Sequence, residues 1–263
     1  MRPVLPASLP ALPQGYKLSW HGTLDSTSEE AKRRAEAGET GPLWIVAESQ
    51  THGRGRQGRA WESPPGNLAA TLLVTLDMPA AAAARLSFVS ALAVADLLDA
   101  YLPGLAHFKW PNDILIRRRK IAGILLESSG SRKPDAPLAW LAIGIGVNLA
   151  AHPAETTYPA TSLPAEGVRA PELAKAVETL AIALDLRLQS FQEEGFQSLR
   201  ALWLARAAGF GEAIRVQHGG ETLQGRFAGI DREGALILEE GPGRKRILHT
   251  GDVFFASDTV DDA

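Results

Sequence analysis

The sequence predicts an α+β protein in two unequal parts: strands interleaved with helices to about residue 208, then a small β-barrel. Three observations carry that expectation. Up to residue 208, apolar runs of strand length alternate with stretches whose apolar residues fall three to four apart. After Gly209, short alternating runs at 213–217, 222–230, 235–239 and 245–248 are separated by His218-Gly219-Gly220, residues 231–234 and Gly241-Pro242-Gly243. Turns at such close intervals indicate a small barrel. Finally, 263 residues, 45% of them hydrophobic, suffice for one core of ordinary size and a small second one.

The elements follow in order. Residues 1–15 carry Pro3, Pro6, Pro10 and Pro13, a single arginine and no continuous apolar run, so they read as a flexible arm and not a signal peptide. Ser26-Thr27-Ser28-Glu29 has capping-box character and opens a helix ending near Gly38. Residues 43–48 form a short strand. Residues 50–66 are rich in Gly, Arg and Pro and lack periodicity; long loops of this kind inside compact domains commonly carry function. A strand at 68–76 leads into an amphipathic, partly buried helix from 80 to about 102. Arg85, Asp96 and Asp99 interrupt it too often for a membrane span. Residues 107–110 form a strand, and Trp110-Pro111-Asn112-Asp113 has turn chemistry. Residues 114–116 and 121–127 make a hairpin around the basic tip 117–120. A strand at 138–149 contains Gly144 and Gly146, and 171–194 and 196–208 are helical.

Composition excludes several functions. With 27 basic and 30 acidic side chains the net charge is −3, against a general nucleic-acid binder, which needs a basic excess to neutralise phosphates. The absence of cysteine removes disulfides, thiolate nucleophiles, iron–sulfur clusters and Cys-based zinc sites together. A soluble, cytoplasmic protein is expected.

Three blocks carry chemistry. Gly53-Arg54-Gly55-Arg56-Gln57-Gly58-Arg59 matches the dinucleotide fingerprint in letters alone. That fingerprint needs a helix directly after the glycines, whereas Trp61, Pro64, Pro65 and Gly66 follow here, so a nicotinamide or flavin enzyme is not expected. Glycine lets the backbone fold tightly, and arginine offers forked donors to carboxylate or phosphate. The loop is therefore either a solvated basic segment or a self-repelling flap that orders on an anionic ligand. In the second block, Lys109-Trp110-Pro111-Asn112-Asp113 precedes Lys120-Ile121-Ala122-Gly123. Lys120 opens an apolar strand, where a cation is costly unless paired. Gly123 lets a ligand approach backbone. Asp113 alone reads equally as a turn acid. The third block is Gly144-Ile145-Gly146-Val147-Asn148-Leu149, two glycines in one strand marking either close contact or a bulge.

GRGRQGR, KWPND, KIAGILLE and GIGVNL, in this order and at these separations, resemble the biotin–protein ligases, in their form without an N-terminal DNA-binding domain. Gly229-Ile230-Asp231 and Gly234-Ala235-Leu236 are similar to the small terminal barrel of that family. The resemblance implies a mixed-sheet catalytic domain at 16–208, like the class II synthetase core, and a Src-homology-3-like barrel at 209–263. It implies activation of biotin with ATP and magnesium, then transfer to a lysine of a biotin carboxyl carrier domain. It assigns Ser26, Thr27, Ser28, Gln50, Gly53, Arg54, Gly55 and Arg56 to biotin, with Gly123, Gly144 and Gly146 lining the pocket. Lys120 falls near the biotin carboxylate and the α-phosphate. Arg56, Arg59, Trp61, Asn112, Lys120 and Asn148 fall on the nucleotide side. Glu62 departs from the pattern, standing where some relatives carry an apolar or aromatic residue beside the adenine.

Arg56, Lys120 and Asp113 are the implied catalytic residues, with Asp113 also a candidate magnesium partner. No tightly bound organic cofactor is implied. A lipoate or octanoate ligase or transferase of the same core fold is the rival. A helix-turn-helix module needs more helix than the Pro-rich residues before Ser26 offer, so no DNA binding is expected, nor any membrane partner. The oligomeric state, a homodimer included, stays open.

Overall fold

The structure of the chain, a computed structural model, describes residues 8–76, 78–129, 138–156 and 158–255. The first elements are β1 (Lys17–Leu24), α1 (Thr27–Glu36), β2 (Leu43–Gln50), β3 (Leu68–Val74), α2 (Ala80–Ala83) and α3 (Leu86–Asp99). Then come β4 (Ala106–Lys109), β5 (Asp113–Ile116), β6 (Arg119–Ser128), β7 (Leu141–Val147), α4 (Leu173–Glu194) and α5 (Phe196–Ala205). The C-terminal strands are β8 (Ala213–His218), β9 (Glu221–Ile230), β10 (Leu236–Gly241), β11 (Arg244–Leu248) and β12 (Asp252–Phe255).

Seven strands form one mixed sheet in the order β1-β2-β3-β7-β6-β5-β4. The β1–β2 pair is parallel and the other pairs are antiparallel. The C-terminal strands form an antiparallel sheet, β11-β10-β9-β8-β12. That suits the expected small β fold, although among the described residues no β11–β12 pairing closes it into a barrel. Of the expected arm, residues 1–7 lie outside the described residues, as do 256–263 of the C-terminal part. The arm's described part is held to α4, where the Ala11 N–H donates to Glu178 at 3.0 Å, and Leu12 packs against the core.

Successive strand residues point to opposite faces, so the register fixes which side chains meet. One face carries Trp44, Val46, Leu68, Leu72, Ile143 and Ile145 into the main core, where α3, α4 and α5 pack. The helix expected over 80–102 divides in two. Its longer piece, α3, is buried along nearly all its length, because α4 and α5 cover the side expected to meet water. Asp96 and Asp99, which interrupt the apolar pattern, pair with Arg187 at 2.8 Å and Arg206 at 2.6 Å.

The other face is covered at one end only, by α1, whose Ala31 packs with Leu43, Ile45, Leu73 and Ala142. Beyond α1 the sheet lies open. Ser26 takes the N-cap position of α1 but makes no side-chain cap bond, contrary to the capping-box expectation. The Ser26 N–H donates to Asp25 Oδ1 at 2.7 Å, and the Thr27 N–H donates to the Gln50 side chain at 2.8 Å. The basic tip is a two-residue turn with Arg117 and Arg118 at φ 49° and 63°, the left-handed pair that suits a tight hairpin. It is tied down: Arg117 and Arg119 pair with Glu166, and Arg118 with Glu212.

Candidate active site

The open face carries two rows of directly opposed residues. One runs Ala47, Ala69, Gly146, Gly123, Asp113, Lys109 across β2, β3, β7, β6, β5 and β4. The next runs Ile45, Thr71, Gly144, Leu125. Three glycines and two alanines leave a trench in the sheet, and one end of that trench is ionic. It opens into a cavity of about 440 Å³. Every residue expected at the site lines this cavity except Gly53. Gly53 shapes the loop instead: a Cβ there would stand 2.2 Å from the Trp61 carbonyl oxygen.

The floor at the α1 end is polar and almost wholly buried. Ser26, Thr27, Ser28 and Thr71 are all buried. The Thr71 hydroxyl donates to Thr27 Oγ1 at 2.9 Å, and Thr27 Oγ1 donates to Gln50 Oε1 at 3.1 Å. Gln50 Nε2 donates to Ser63 at 2.8 Å. The Ser28 hydroxyl stands 3.3 Å from Thr71 Oγ1 and would meet a Cβ on Gly144 at 2.7 Å. Hydroxyls are costly to bury without partners, so such a network beside an apolar trench suits a ligand with polar atoms at one end.

At the other end the cations gather. A bulge between β5 and β6 sets Lys120 opposite Leu115, where strict pairing would have set Ile121. The extra residue lets Ile121 enter the core while Lys120 reaches the trench, which answers the cost of a cation opening an apolar strand. Lys120 Nζ lies 2.7 Å from Asp113 Oδ1, and Lys109 Nζ 3.8 Å from Asp113 Oδ2. Burial pushes the Asp113 pKa up, but the two ammonium groups outweigh it and hold the carboxyl below its ordinary value.

The Arg-Gly loop is a small hairpin over this cavity. Gly53 C=O accepts the Trp61 N–H at 2.9 Å, and the Gly55 N–H donates to Arg59 C=O at 2.7 Å. Gln57, at φ 55°, and Gly58, at φ 73°, turn the tip. No helix follows the glycines; the next strand or helix is β3. The expected self-repulsion is answered by fixed acids. Arg54 pairs with Glu29 and, at 3.0 Å, with Glu127. Arg56 donates to Asn112 Oδ1 at 3.1 Å, and Asn112 donates in turn to the Ile124 carbonyl at 2.7 Å. Burial lowers the Arg56 pKa, opposed by Asp252 and Asp113. The Trp61 ring lies in the trench: a Cβ on Gly146 would stand 2.4 Å from it, and one on Gly123 3.4 Å.

The description Biotin/lipoate A/B protein ligase family matches residues 23–148, and Biotin protein ligase C terminal domain matches 209–256. Over 238 residues the chain is 42% identical to a biotin–[acetyl-CoA-carboxylase] ligase of Paracoccus denitrificans, spanning 88% of this chain and 97% of that one. The chain belongs to the biotin protein ligases. This ligase is also 31% identical over 240 residues to the bifunctional ligase/repressor BirA of Bacillus subtilis, across 89% of this chain and 72% of that protein. Its fold matches the biotin protein ligase from Aquifex aeolicus in complex with biotin and ATP at a TM-score of 0.75, with 25% identity, covering 90% of this chain and 97% of that one.

Four residues of the candidate site carry no strong signal in the sequence. Thr71 had a faint signal, being the one polar residue of the strand LAATLLV. Lys109 stands inside a block the sequence singles out, but its place beside Asp113 needs the register of β4 on β5. Lys109 Nζ also lies 3.8 Å from the centre of the Tyr158 ring. Tyr158 and Asp252 line the cavity from distant parts of the chain, and no local pattern marks either.

Magnesium ligands are not assembled here. Among the described residues no group of three His, Cys, Asp or Glu side chains could hold a metal ion. Asp113 already faces two ammonium groups, so its donor set does not fit a resident cation.

Proposed function

We propose that this ligase activates biotin with ATP to biotinyl-5′-AMP and passes the biotin to a lysine of a biotin carboxyl carrier domain. The observation that carries the reading is the trench itself: a glycine floor with buried hydroxyls at one end, and Lys120, Arg56 and Asp113 at the other. The bicyclic ring of biotin belongs over Gly144 beside Thr27, Ser28 and Gln50, its carboxylate toward Lys120, and its chain along Gly146 and Gly123, in the place the Trp61 ring takes here and must yield. Arg59, Asn112 and Asn148 belong to the nucleotide side, with Trp61 closing the middle. Asn148 Nδ2 is already donated to the Thr161 carbonyl at 3.1 Å, so its service to the nucleotide is to hold the segment beside it.

Chemically, a carboxylate oxygen of biotin attacks the α-phosphorus of ATP and pyrophosphate leaves. The nucleophile is ionised at neutral pH, so no base is required, and the work is positioning and charge stabilisation. Magnesium arrives with the nucleotide as part of the substrate. The acceptor lysine first loses a proton to solvent; its free amine then attacks the acyl carbon, AMP leaves with the bonding pair, and the second proton on nitrogen passes to water. Asp113 is a poor acceptor for either proton, because two cations hold its pKa down; it orients Lys120 and the incoming amine. Asp113→Asn should therefore slow both half-reactions, and the transfer rate should still climb with pH toward the acceptor lysine's value near 10.4. Single-turnover rates from pH 6 to 9 check this. A flat profile in the unaltered protein that becomes a climb in the variant would make Asp113 the base after all.

Gly146→Ala tests the trench. The added methyl has no room under Trp61. The methyl also stands in the groove assigned to the chain of biotin, so the KM for biotin should rise, by up to roughly 150-fold if the whole of an overpacking cost of about 3 kcal/mol falls on the bound state. An unchanged KM would put the chain of biotin elsewhere.

The discriminating experiment against a lipoate ligase is the choice of acid. A site built for the polar atoms of the ureido ring rejects acids lacking them by roughly 10⁴-fold. The chain does its work in the cytoplasm, where ATP is at hand; among the described residues no helix is long and apolar enough to cross a membrane. We propose domain limits of 16–208 and 209–263.

A further inference from the structure

We propose that Asp252, on the C-terminal sheet, is a latch that holds the Arg-Gly loop shut when no pyrophosphate group is present to do so. The proposal rests on the reading of the cavity as the seat of adenylate formation. Seven residues, 53–59, carry three arginines, and each needs a counter-charge to lie over the cavity. Arg54 finds Glu29 and Glu127. Arg56 and Arg59 turn the other way. Arg59 Nη2 donates to Asp252 Oδ2 at 2.6 Å, and Arg56 Nη1 stands 3.7 Å from Asp252 Oδ1.

Asp252 is set firmly. It opens β12 opposite Gln217. Gly251 before it has φ 149°, and a Cβ there would stand 2.9 Å from Val216 Cγ1 and 3.5 Å from the Trp110 ring. Trp110 Nε1 in turn donates to the Gly234 carbonyl at 3.0 Å. The turn that carries Asn112 and the strand that carries Asp252 are thus pinned together.

The charge balance of the reaction gives the latch its purpose. ATP brings a triphosphate to the cations at this end of the cavity. When pyrophosphate departs, most of that negative charge goes with it, while the water-sensitive mixed anhydride must stay covered until an amine arrives. Asp252 is the fixed anion within reach of both guanidinium groups at that moment. A single exposed ion pair is weak, and here one carboxylate serves two cations, one of them largely shielded. Such a pairing yields to phosphate and re-forms afterwards.

The test uses the full chain. Biotinyl-5′-AMP is made in a single turnover, pyrophosphate is removed enzymatically, and escape of the adenylate is timed by rapid filtration. Asp252→Asn should speed escape roughly three- to tenfold. Escape from the unaltered protein should quicken with added salt, which screens partly exposed charges, and escape from Asp252→Asn should respond less, its remaining response coming from the Arg54 pairs. In the ligand-free protein, amide exchange over 53–60 should be faster in Asp252→Asn. Unchanged escape and exchange in the variant would overturn the proposal, as would escape from the unaltered protein that ignores salt. If the unaltered protein makes no adenylate, the reading of the cavity fails, and the exchange measurement still decides on the latch.

Discussion

Arg56→Gly is expected to turn the ligase into a leaky source of biotinyl-5′-AMP that labels bystander proteins. Arg56 ties the tip of the loop to Asn112, and Asn112 ties the same turn to the Ile124 carbonyl of β6. Removing the guanidinium breaks that chain at its first link. Glycine also frees the backbone between Gly55 and Gln57, so the closed loop becomes entropically dearer. A hydrogen bond from a charged group is worth about 1.5–3 kcal/mol, so escape should rise by roughly 10- to 150-fold. The measurement is biotin incorporation into added serum albumin at equal enzyme turnover. Labelling no greater than that of the unaltered protein would remove Arg56 from the lid.

Lys120→Ala should nearly abolish the first half-reaction. Lys120 is the cation that the β5–β6 bulge turns into the trench, 2.7 Å from Asp113. Charge forms on the α-phosphoryl oxygens in the transition state, and loss of one preorganised donor costs roughly 10²–10³ in rate. The variant has a second signature. Asp113 is held below its ordinary pKa, so it contributes stability above its unfolded value, lost as pH falls through the folded value. Without Lys120, the distant contact with Lys109 remains and the carboxyl titrates higher, closer to its unfolded value, so the variant is weakened at neutral pH and loses less stability than the unaltered protein as pH falls. Pre-steady-state adenylate formation and melting curves from pH 3 to 7 check the two effects. A rate within threefold of the unaltered protein would take Lys120 out of the reaction.

The blocks that meet at the cavity were legible from residue type and order, whereas Gln50, Trp61, Asn112 and Asn148 entered only through the family resemblance. Glycines inside apolar strands, arginines among loop glycines and a lysine at a strand start each break a local rule, and breaks of that kind collect at functional sites. What the chain order hid was lateral. Thr71, Gly144 and Leu125 share a row only through strand register, and so do Gly123, Asp113 and Lys109. Strand β1 was missed because its burial pattern, one buried residue at Trp20, does not alternate cleanly at the sheet edge. Strand β12 is four residues long, too short for any pattern, yet it brings Asp252 to the cavity. The capping box failed for a local reason: Asp25, next in the chain, takes the Ser26 N–H that Glu29 was expected to accept, and a glutamine from β2 takes the Thr27 N–H. The buried α3 misled because its outer side meets other helices where an isolated segment would meet solvent.

Isotopic exchange of pyrophosphate into ATP tests most directly whether one trench joins biotin to the α-phosphate of ATP. Exchange should require biotin and magnesium, be absent with lipoate or octanoate in its place, and collapse in Lys120→Ala. Exchange supported by octanoate and not by biotin, or exchange that survives loss of Lys120, would contradict it.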